Sequence, residues 1–368
     1  MNRTIWLGSR RRWAALLLGW LVLSAPLPVC AAPAVPSHAV ILMYHHFGVP
    51  RYPTTNIDME RFGEQLDYLA DHGYHVWPLT RIVDELRQGK PIPDHTVAIT
   101  IDDAYMSVYE RAFPLLKKHG WPFTVFVATG PIDRGYSAFM SWMQMREMQQ
   151  HGASFANHSS SHDHLVLHRD GEGDAAWRRR VTADISDAQK RLRQELGRVP
   201  AIFSYPYGEY SEALAGIVRS MGLVGFGQQS GAVGVHSDMR VLPRFPIAGD
   251  YAAMDQFRTK IATLPLPVID EVPWEMVTHD AQPALTLTLS SNSSIRPHTV
   301  HCYASGQGRI EIDHETGPNR QVTVRVEQPL PAGRSRYNCT APSADGSRFY
   351  WFSHPWLYLP PGFVLPPD

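Results

Sequence analysis

The chain of 368 residues sets 34 Lys and Arg against 35 Asp and Glu, a formal net charge of -1, which gives no electrostatic reason to bind nucleic acid or an anionic membrane. With 44% apolar and 19% charged residues it has the composition of an ordinary globular protein, long enough for two domains.

The first elements concern targeting. Arg3 and Arg10-Arg11-Arg12 precede an apolar run from Ala14 to Leu23, which Pro26 and Pro28 break before Val29-Cys30-Ala31. A basic segment, a short apolar segment and small residues read as a secretory signal with cleavage after Ala31. The run is short for a transmembrane span, and no second apolar segment of spanning length follows. Lipidation at Cys30 ranks second, because Val29 fits that cleavage poorly. Residues 1–31 are therefore expected to be a signal peptide, and the mature chain a periplasmic or secreted protein without a transmembrane span. Removing four Arg and no acid turns 34 against 35 into 30 against 35 and leaves two cysteines, Cys302 and Cys339. In an oxidising compartment such a pair is expected to be a disulfide.

From about residue 38 to 265 short apolar runs alternate with amphipathic segments. Ile41-Leu42-Met43-Tyr44-His45 reads as a strand. The segment from Asp58 to Gly73 places Phe62, Leu66 and Leu69 on one helical face and ends on glycine. Val97-Ala98-Ile99-Thr100-Ile101 is a core strand that ends in two adjacent carboxylates, Asp102 and Asp103. A helix over Ser107 to Gly120, a strand at Phe123–Val127 and a long helix after His168 follow, the last with Trp177, Val181, Ile185, Ala188, Leu192 and Leu196 at three- and four-residue steps. Asp184 and Asp187 fall off that stripe and read as its solvated face. A helix over Ser211 to Gly222 and a strand at Val224–Phe226 complete the alternation. Such repetition predicts parallel strands in a closed or nearly closed barrel, with chemistry at the C-terminal strand ends.

After about residue 270 the period changes to two. Leu285–Leu289, Thr299–Tyr303, Arg309–Ile312, Val322–Val326 and Arg348–Phe352 alternate between turn residues, which predicts a small antiparallel sandwich over 270–368. The boundary is placed at Leu264-Pro265-Leu266-Pro267, where prolines disfavour helix. Tyr350, Trp351, Phe352 and Trp356 read as sandwich core and interdomain packing rather than a sugar platform.

Two like charges side by side are costly unless a positive charge sits near them, and a metal cation would supply it. Asn157-His158-Ser159-Ser160-Ser161-His162 offers two imidazoles four residues apart, which with Asp103 make three protein ligands and leave a position for water. His164 is an alternative to His162, since loop geometry decides between them. A third motif, Phe203-Ser204-Tyr205-Pro206-Tyr207-Gly208, ends another short strand. No Gly-x-Ser-x-Gly elbow of a serine hydrolase is present.

In this order the Asp-Asp pair, the His-x-x-x-His and the Pro-Tyr-Gly resemble the polysaccharide deacetylases of NodB homology, carbohydrate esterase family 4. The Tyr44-His45 strand is most similar to the exopolysaccharide (poly-N-acetylglucosamine) deacetylases among them. The resemblance implies a distorted (β/α)7-8 barrel, and the all-β sandwich-like domain that follows is a candidate carbohydrate-binding domain. It implies hydrolysis of N-acetyl groups on an N-acetylglucosamine polysaccharide with Zn2+ or another divalent transition metal held by Asp103, His158 and His162. Asp102 is then the general base, the Tyr207 backbone N–H the oxyanion donor, Pro206 a brace for that turn, and His45 the general acid. Tyr105 and Trp142 are expected at the substrate, Trp142 because Ser141-Trp142-Met143-Gln144 resembles a groove segment.

Two departures stand out. The family places an Arg two residues before the Pro, where this chain has Ser204, with Arg244 as a substitute to hold Asp102. Near the end of the barrel, where a leucine-rich strand ending in His is common, the chain reads Phe245-Pro246-Ile247-Ala248-Gly249-Asp250. Alternative readings are a deacetylase of peptidoglycan, chitin or O-acetyl esters, and a catalytically weakened carbohydrate-binding protein of an export assembly.

Overall fold

A computed structural model describes residues 37–314 and 320–365, with residues 1, 2 and 4. The expected signal peptide lies almost wholly outside the described residues.

Seven extended segments line up in parallel. They are β1 (His38–Tyr44), β2 (Thr96–Asp102), β3 (Phe123–Val127), β4 (Ala153–Asn157), β5 (Ile202–Ser204), β6 (Val224–Phe226) and β7 (Phe245–Pro246). Neighbours pair in sequence order from β1 to β6, and β7 returns to pair with β1 through Leu42 and Phe245. Just before β7 the Leu242 N–H donates to the Gly225 carbonyl, and the Gly227 N–H to the Leu242 carbonyl. The sheet therefore curls from β6 through Leu242–Pro246 back to β1, the distorted (β/α) barrel that the strand-helix alternation predicts.

Residue parity sets what faces inward. In β2 the side chains of Val97, Ile99 and Ile101 join the cluster under the outer helices, whereas Ala98 packs with Ala39, Ile41, Phe126, Ala156 and Phe226. Thr100 and Asp102 share the parity of Ala98, so the strand carries a buried carboxylate on its inward face. The helix Met59–Asp71 buries Phe62, Leu66 and Leu69, and Asp58 caps it by accepting from the Glu60 N–H at 2.8 Å. The helix Asp174–Leu196 buries the stripe from Trp177 to Leu196 as expected. His75 lies in a short strand and pairs with Thr96.

Beyond the barrel two sheets enclose a second core of Leu285, Leu287, Val322, Val324, Tyr337 and Trp356; one is antiparallel as expected, and the other is mixed, because Leu264–Pro265 and Val277–Thr278 run parallel to Phe349–Tyr358. The longest strands, Gly333–Pro342 and Phe349–Tyr358, pair along their whole length. Cys302 and Cys339 face each other across adjacent strands and form the disulfide. Leu264–Pro265 already pairs with Tyr350 and Trp351, so sheet structure begins inside the proline-rich junction.

The sheets are fastened to the barrel. Trp351 packs edge-on against Phe245, and Arg348 donates to both Asp94 oxygens at 3.0 and 2.8 Å beside His38. Trp356 is wholly buried within the second core. These aromatics are core and junction, as their sequence reading has it.

Candidate active site

The motifs meet at the C-terminal ends of β2, β4 and β5. Where β2 ends, Asp103 and Ala104 adopt left-handed backbone, φ 74° and 56°, which swings the Asp103 side chain away from the path of Asp102. Where β4 ends, the loop from His158 to His162 is held from beneath by the long helix. Asn157 donates to the Ile185 carbonyl and accepts from the Ser159 N–H, each near 2.9 Å. The Ser160 and Ser161 N–H groups donate to the two oxygens of Asp184 at 2.8 and 3.1 Å. Asp184 thus does not lie on a solvated face: it clamps the histidine loop.

That loop brings His158 Nε2 to 3.4 Å and His162 Nε2 to 3.1 Å from Asp103 Oδ1. One ligand atom from each of the three residues lies within 4.8 Å of the others. A tetrahedral ion with bonds of about 2.0–2.1 Å separates its ligand atoms by about 3.3 Å, so the two pairings to Asp103 have the right span. His158 Nδ1 donates to the Ser204 carbonyl at 2.8 Å, which fixes the tautomer and leaves Nε2 as the lone-pair nitrogen facing Asp103. The donor set is a carboxylate and two imidazoles, suited to a divalent transition metal. Burial raises the Asp103 carboxyl, but the two histidines outweigh it and hold the group well below the usual carboxylate range.

His164 is not part of this trio. Its Nδ1 pairs with Glu209 at 2.7 Å, and its ring stacks on Tyr207 with centroids 4.1 Å apart. Glu209 is buried and also takes Arg334 at 3.4 Å, so His164 braces the Pro206–Gly208 turn from the side. Within that turn Tyr207 has φ 58°.

Asp102 is fully buried, and Arg244 grips it with two parallel bonds, Nη1 to Oδ1 at 2.7 Å and Nη2 to Oδ2 at 2.8 Å. The same guanidinium donates to the Gly227 carbonyl at 2.9 Å and to Ser204 Oγ at 2.8 Å, and Ser204 Oγ donates to Asp102 at 3.3 Å. Ser204, standing where an Arg is common, leaves room for a guanidinium that arrives from the other side, just before β7. Burial raises the Asp102 carboxyl, and Arg244 more than reverses this, so it stays ionised below its ordinary value. His45 Nε2 stands 4.0 Å from Asp102 Oδ2, and burial holds its imidazole below the ordinary histidine value against the pull of Asp102.

Asp103, His158, His162, His45, Tyr105 and Tyr207 line one cavity of about 410 Å³. Tyr105 is stacked between His46 and Phe139, and His46 in turn lies against Tyr52. His46, without a role in sequence, thus positions an aromatic wall. Pro206 is buried beneath the turn and does not line the cavity. Trp142 is not brought to it either: its indole N–H donates to Asp133 at 2.8 Å and Arg191 lies over its ring, while Ser141 and Gln144 form a capping box. The opposite wall comes from the C-terminal sheets, through Ser305, Arg334, Ser335, Arg336 and Pro355. Sequence reading missed this wall. The alternation Arg334-Ser335-Arg336 is the signal that could have found it.

Comparison with known proteins agrees with this geometry. Residues 89–226 match the family described as polysaccharide deacetylase. YxkH of Bacillus subtilis (strain 168) is 28% identical over 214 residues, 58% of this chain and 72% of that one. The poly-beta-1,6-N-acetyl-D-glucosamine N-deacetylase of Escherichia coli (strain K12) is 26% identical over 237 residues, 55% of this chain but 35% of the other. The chain thus spans about a third of the length of that relative. Among solved structures, IcaB from Ammonifex degensii superposes with a TM-score of 0.53 at 27% identity, covering 62% of this chain and 98% of that one. Residues 89–226 thus carry a polysaccharide deacetylase domain, a domain of amide-hydrolysing enzymes.

Proposed function

We propose that this protein removes N-acetyl groups from N-acetylglucosamine residues of an exported polysaccharide, acting as a periplasmic or secreted enzyme. The observation that carries the reading is the convergence of Asp103, His158 and His162 beside an ionised, arginine-held Asp102 at the strand ends of the barrel. The name of the Escherichia coli relative favours a poly-N-acetylglucosamine substrate over peptidoglycan, chitin or O-acetyl esters.

A divalent ion, Zn2+ in the simplest case, held by Asp103, His158 and His162 would polarise the acetyl carbonyl and acidify the attacking water. The rest of the chemistry falls to the chain. Asp102 is the general base: ionised at neutral pH, it accepts the proton of the water, and Arg244 fixes the carboxylate plane while it does so. His45 enters neutral, stands 4.0 Å from Asp102, and passes the proton on to the leaving amine. The Tyr207 backbone N–H donates to the developing oxyanion, in a turn held by Pro206 below and His164 at the side. Tyr105 supports the sugar ring. The alternative of a catalytically weakened binding protein loses its main support, because Arg244 occupies the place that Ser204 leaves.

The test is acetate release from β-1,6-linked N-acetylglucosamine oligomers by the metal-loaded protein. Chelation should abolish it, and Asp102→Asn should lower kcat by about 10²- to 10⁴-fold. A folded, metal-loaded protein that releases no acetate from these oligomers, chitin oligomers or peptidoglycan overturns the reading.

A further inference from the structure

The cavity that holds the metal candidates is closed on one side by the strand Gly333–Pro342, whose residues alternate between the sandwich core and the barrel. Tyr337, Cys339 and Ala341 face the core, and Arg334 and Arg336 share the opposite parity. The two arginines differ in their partners. Arg334 is half exposed and pairs with Glu209. Arg336 is largely buried, and among the described residues its only side-chain bond is from Nη1 to Ser230 Oγ at 3.3 Å and no carboxylate pairs with it. Burial holds its guanidinium below the ordinary arginine value.

Neighbouring charges do not compensate it. Asp102 is taken by Arg244, and Glu209 by His164 and Arg334. The nearby Lys260, buried on the carbonyls of Pro246 and Tyr251, adds a second cation. It is pushed down to about 7 by burial first and by Arg336 second. A buried cation without a counter-ion is costly, and a cavity wall is where a ligand can supply one. A second observation points to a ligand at the same wall. Gln229, which lines the same cavity, has a buried Oε1 with no hydrogen-bond partner among the described residues. It offers an acceptor for a sugar hydroxyl.

We propose that Arg336 forms an anion subsite, so that the polymer presented to this deacetylase carries an acidic group, a carboxylate or an acid ester, close to the N-acetylated residue. The C-terminal sheets are then a specificity wall of the cleft. The proposal rests on the deacetylase reading above and deepens it by naming the charge of the substrate.

Matched probes separate charge from shape. N-acetylglucosamine oligomers are carboxymethylated, and half of the preparation is converted to the neutral methyl ester. The ratio of kcat/KM for acid over ester is then measured by acetate release at low and high salt. The native protein should favour the acid by about tenfold at low salt, the factor expected of one charge-assisted hydrogen bond, and less at high salt. Arg336→Met should bring the ratio to about one, and Arg336→Lys should recover part of it. If Arg336→Met does not fold, the Arg336→Lys ratio and the salt dependence of the native protein decide. A native ratio of about one, with the ester still deacetylated, overturns the anion subsite and leaves the deacetylase reading standing. A metal-loaded protein that hydrolyses neither probe overturns the reading beneath it.

Discussion

At the rim of the barrel the chain turns through left-handed backbone at Asp103, Ala104, Ser159, His162 and Tyr207, with φ between 56° and 74°. The turns of the C-terminal sheets need the same conformation and, apart from Arg320, place glycine there, at Gly306, Gly308, Gly333 and Gly346. Five of the seven described non-glycine residues with positive φ are thus at the site. Such a residue costs about 1 kcal/mol or more. The difference shows where a side chain or a defined backbone direction was worth that cost. Glycine at Asp103 or His162 would remove a candidate ligand, whereas in a sheet turn it removes nothing.

The sharpest way to break the contrast is to attack what holds the strained face together. Arg244 and Asp102 are both wholly buried, so Arg244→Met leaves a carboxylate without its counter-charge in the barrel. The expected cost is about 3–5 kcal/mol, read from urea unfolding at pH 7. Lowering the pH should shrink the gap. The Asp102 carboxyl lies below its unfolded value in the native protein, so the stability it contributes is present above that value and lost as pH falls through the folded one. A gap between native and variant that is unchanged from pH 7 down to the onset of acid unfolding would show that Arg244 is not acting through that charge.

Lys260 provides a measurement with a slope of the same sign in a more alkaline window. Its amine is pushed down to about 7 by burial and then by Arg336, so between pH 7 and its unfolded value of about 10.4 the unfolded chain holds the extra proton. Stability should therefore rise with pH across that window, by about 1.4 kcal/mol per unit at most. Comparing urea midpoints of the native protein and Lys260→Met at pH 7, 8.5 and 10 isolates the contribution. Equal slopes in the two proteins would place the Lys260 proton elsewhere.

How much of this was legible in sequence follows from the range of each contact. The parallel strands, the helix stripes and the three motifs are local patterns, and the alternation of β2 also tells that Asp102 lies on its inward face. Arg244 was legible only as a substitute for a missing partner, since 142 residues separate it from Asp102. Asp184 misled because it lies off the apolar stripe of its helix, yet the helix passes under a loop whose N–H groups need an acceptor. The strand Gly333–Pro342 was missed for a related reason. Its outward residues include Arg334 and Arg336, because that face borders a cavity rather than solvent or core, and periodicity reads only hydrophobicity. Trp142 was read through resemblance alone: the motif suggested a groove, whereas its indole N–H bonds Asp133 away from the described cavity.

Asp184 tests whether the helix positions the candidate ligands. Asp184→Ala removes the acceptor for two N–H groups without touching Asp103, His158 or His162. Zn2+ affinity, followed by competition with a chromogenic chelator, should weaken by about 10- to 100-fold. Asp184→Asn, which keeps one acceptor oxygen, should fall between. Native affinity in the alanine variant would mean that the loop holds its own shape.

The smallest effects compare the two kinds of turn directly. A Cβ at Gly333, φ 92°, would meet only the Phe363 ring at 3.8 Å, so Gly333→Ala has room and any loss is backbone strain, about 1–2 kcal/mol. Ala104→Gly reverses the experiment at the rim. It relieves strain of a similar size at φ 56° but gives the unfolded chain more freedom, about 0.4–1 kcal/mol, so the net change should stay within about 1 kcal/mol. Urea midpoints read both. If Ala104→Gly were as destabilising as Gly333→Ala, the alanine methyl, buried in the barrel cluster, would be contributing packing rather than only tolerating the turn, and strain at the rim would have to be argued from Asp103 and His162 alone.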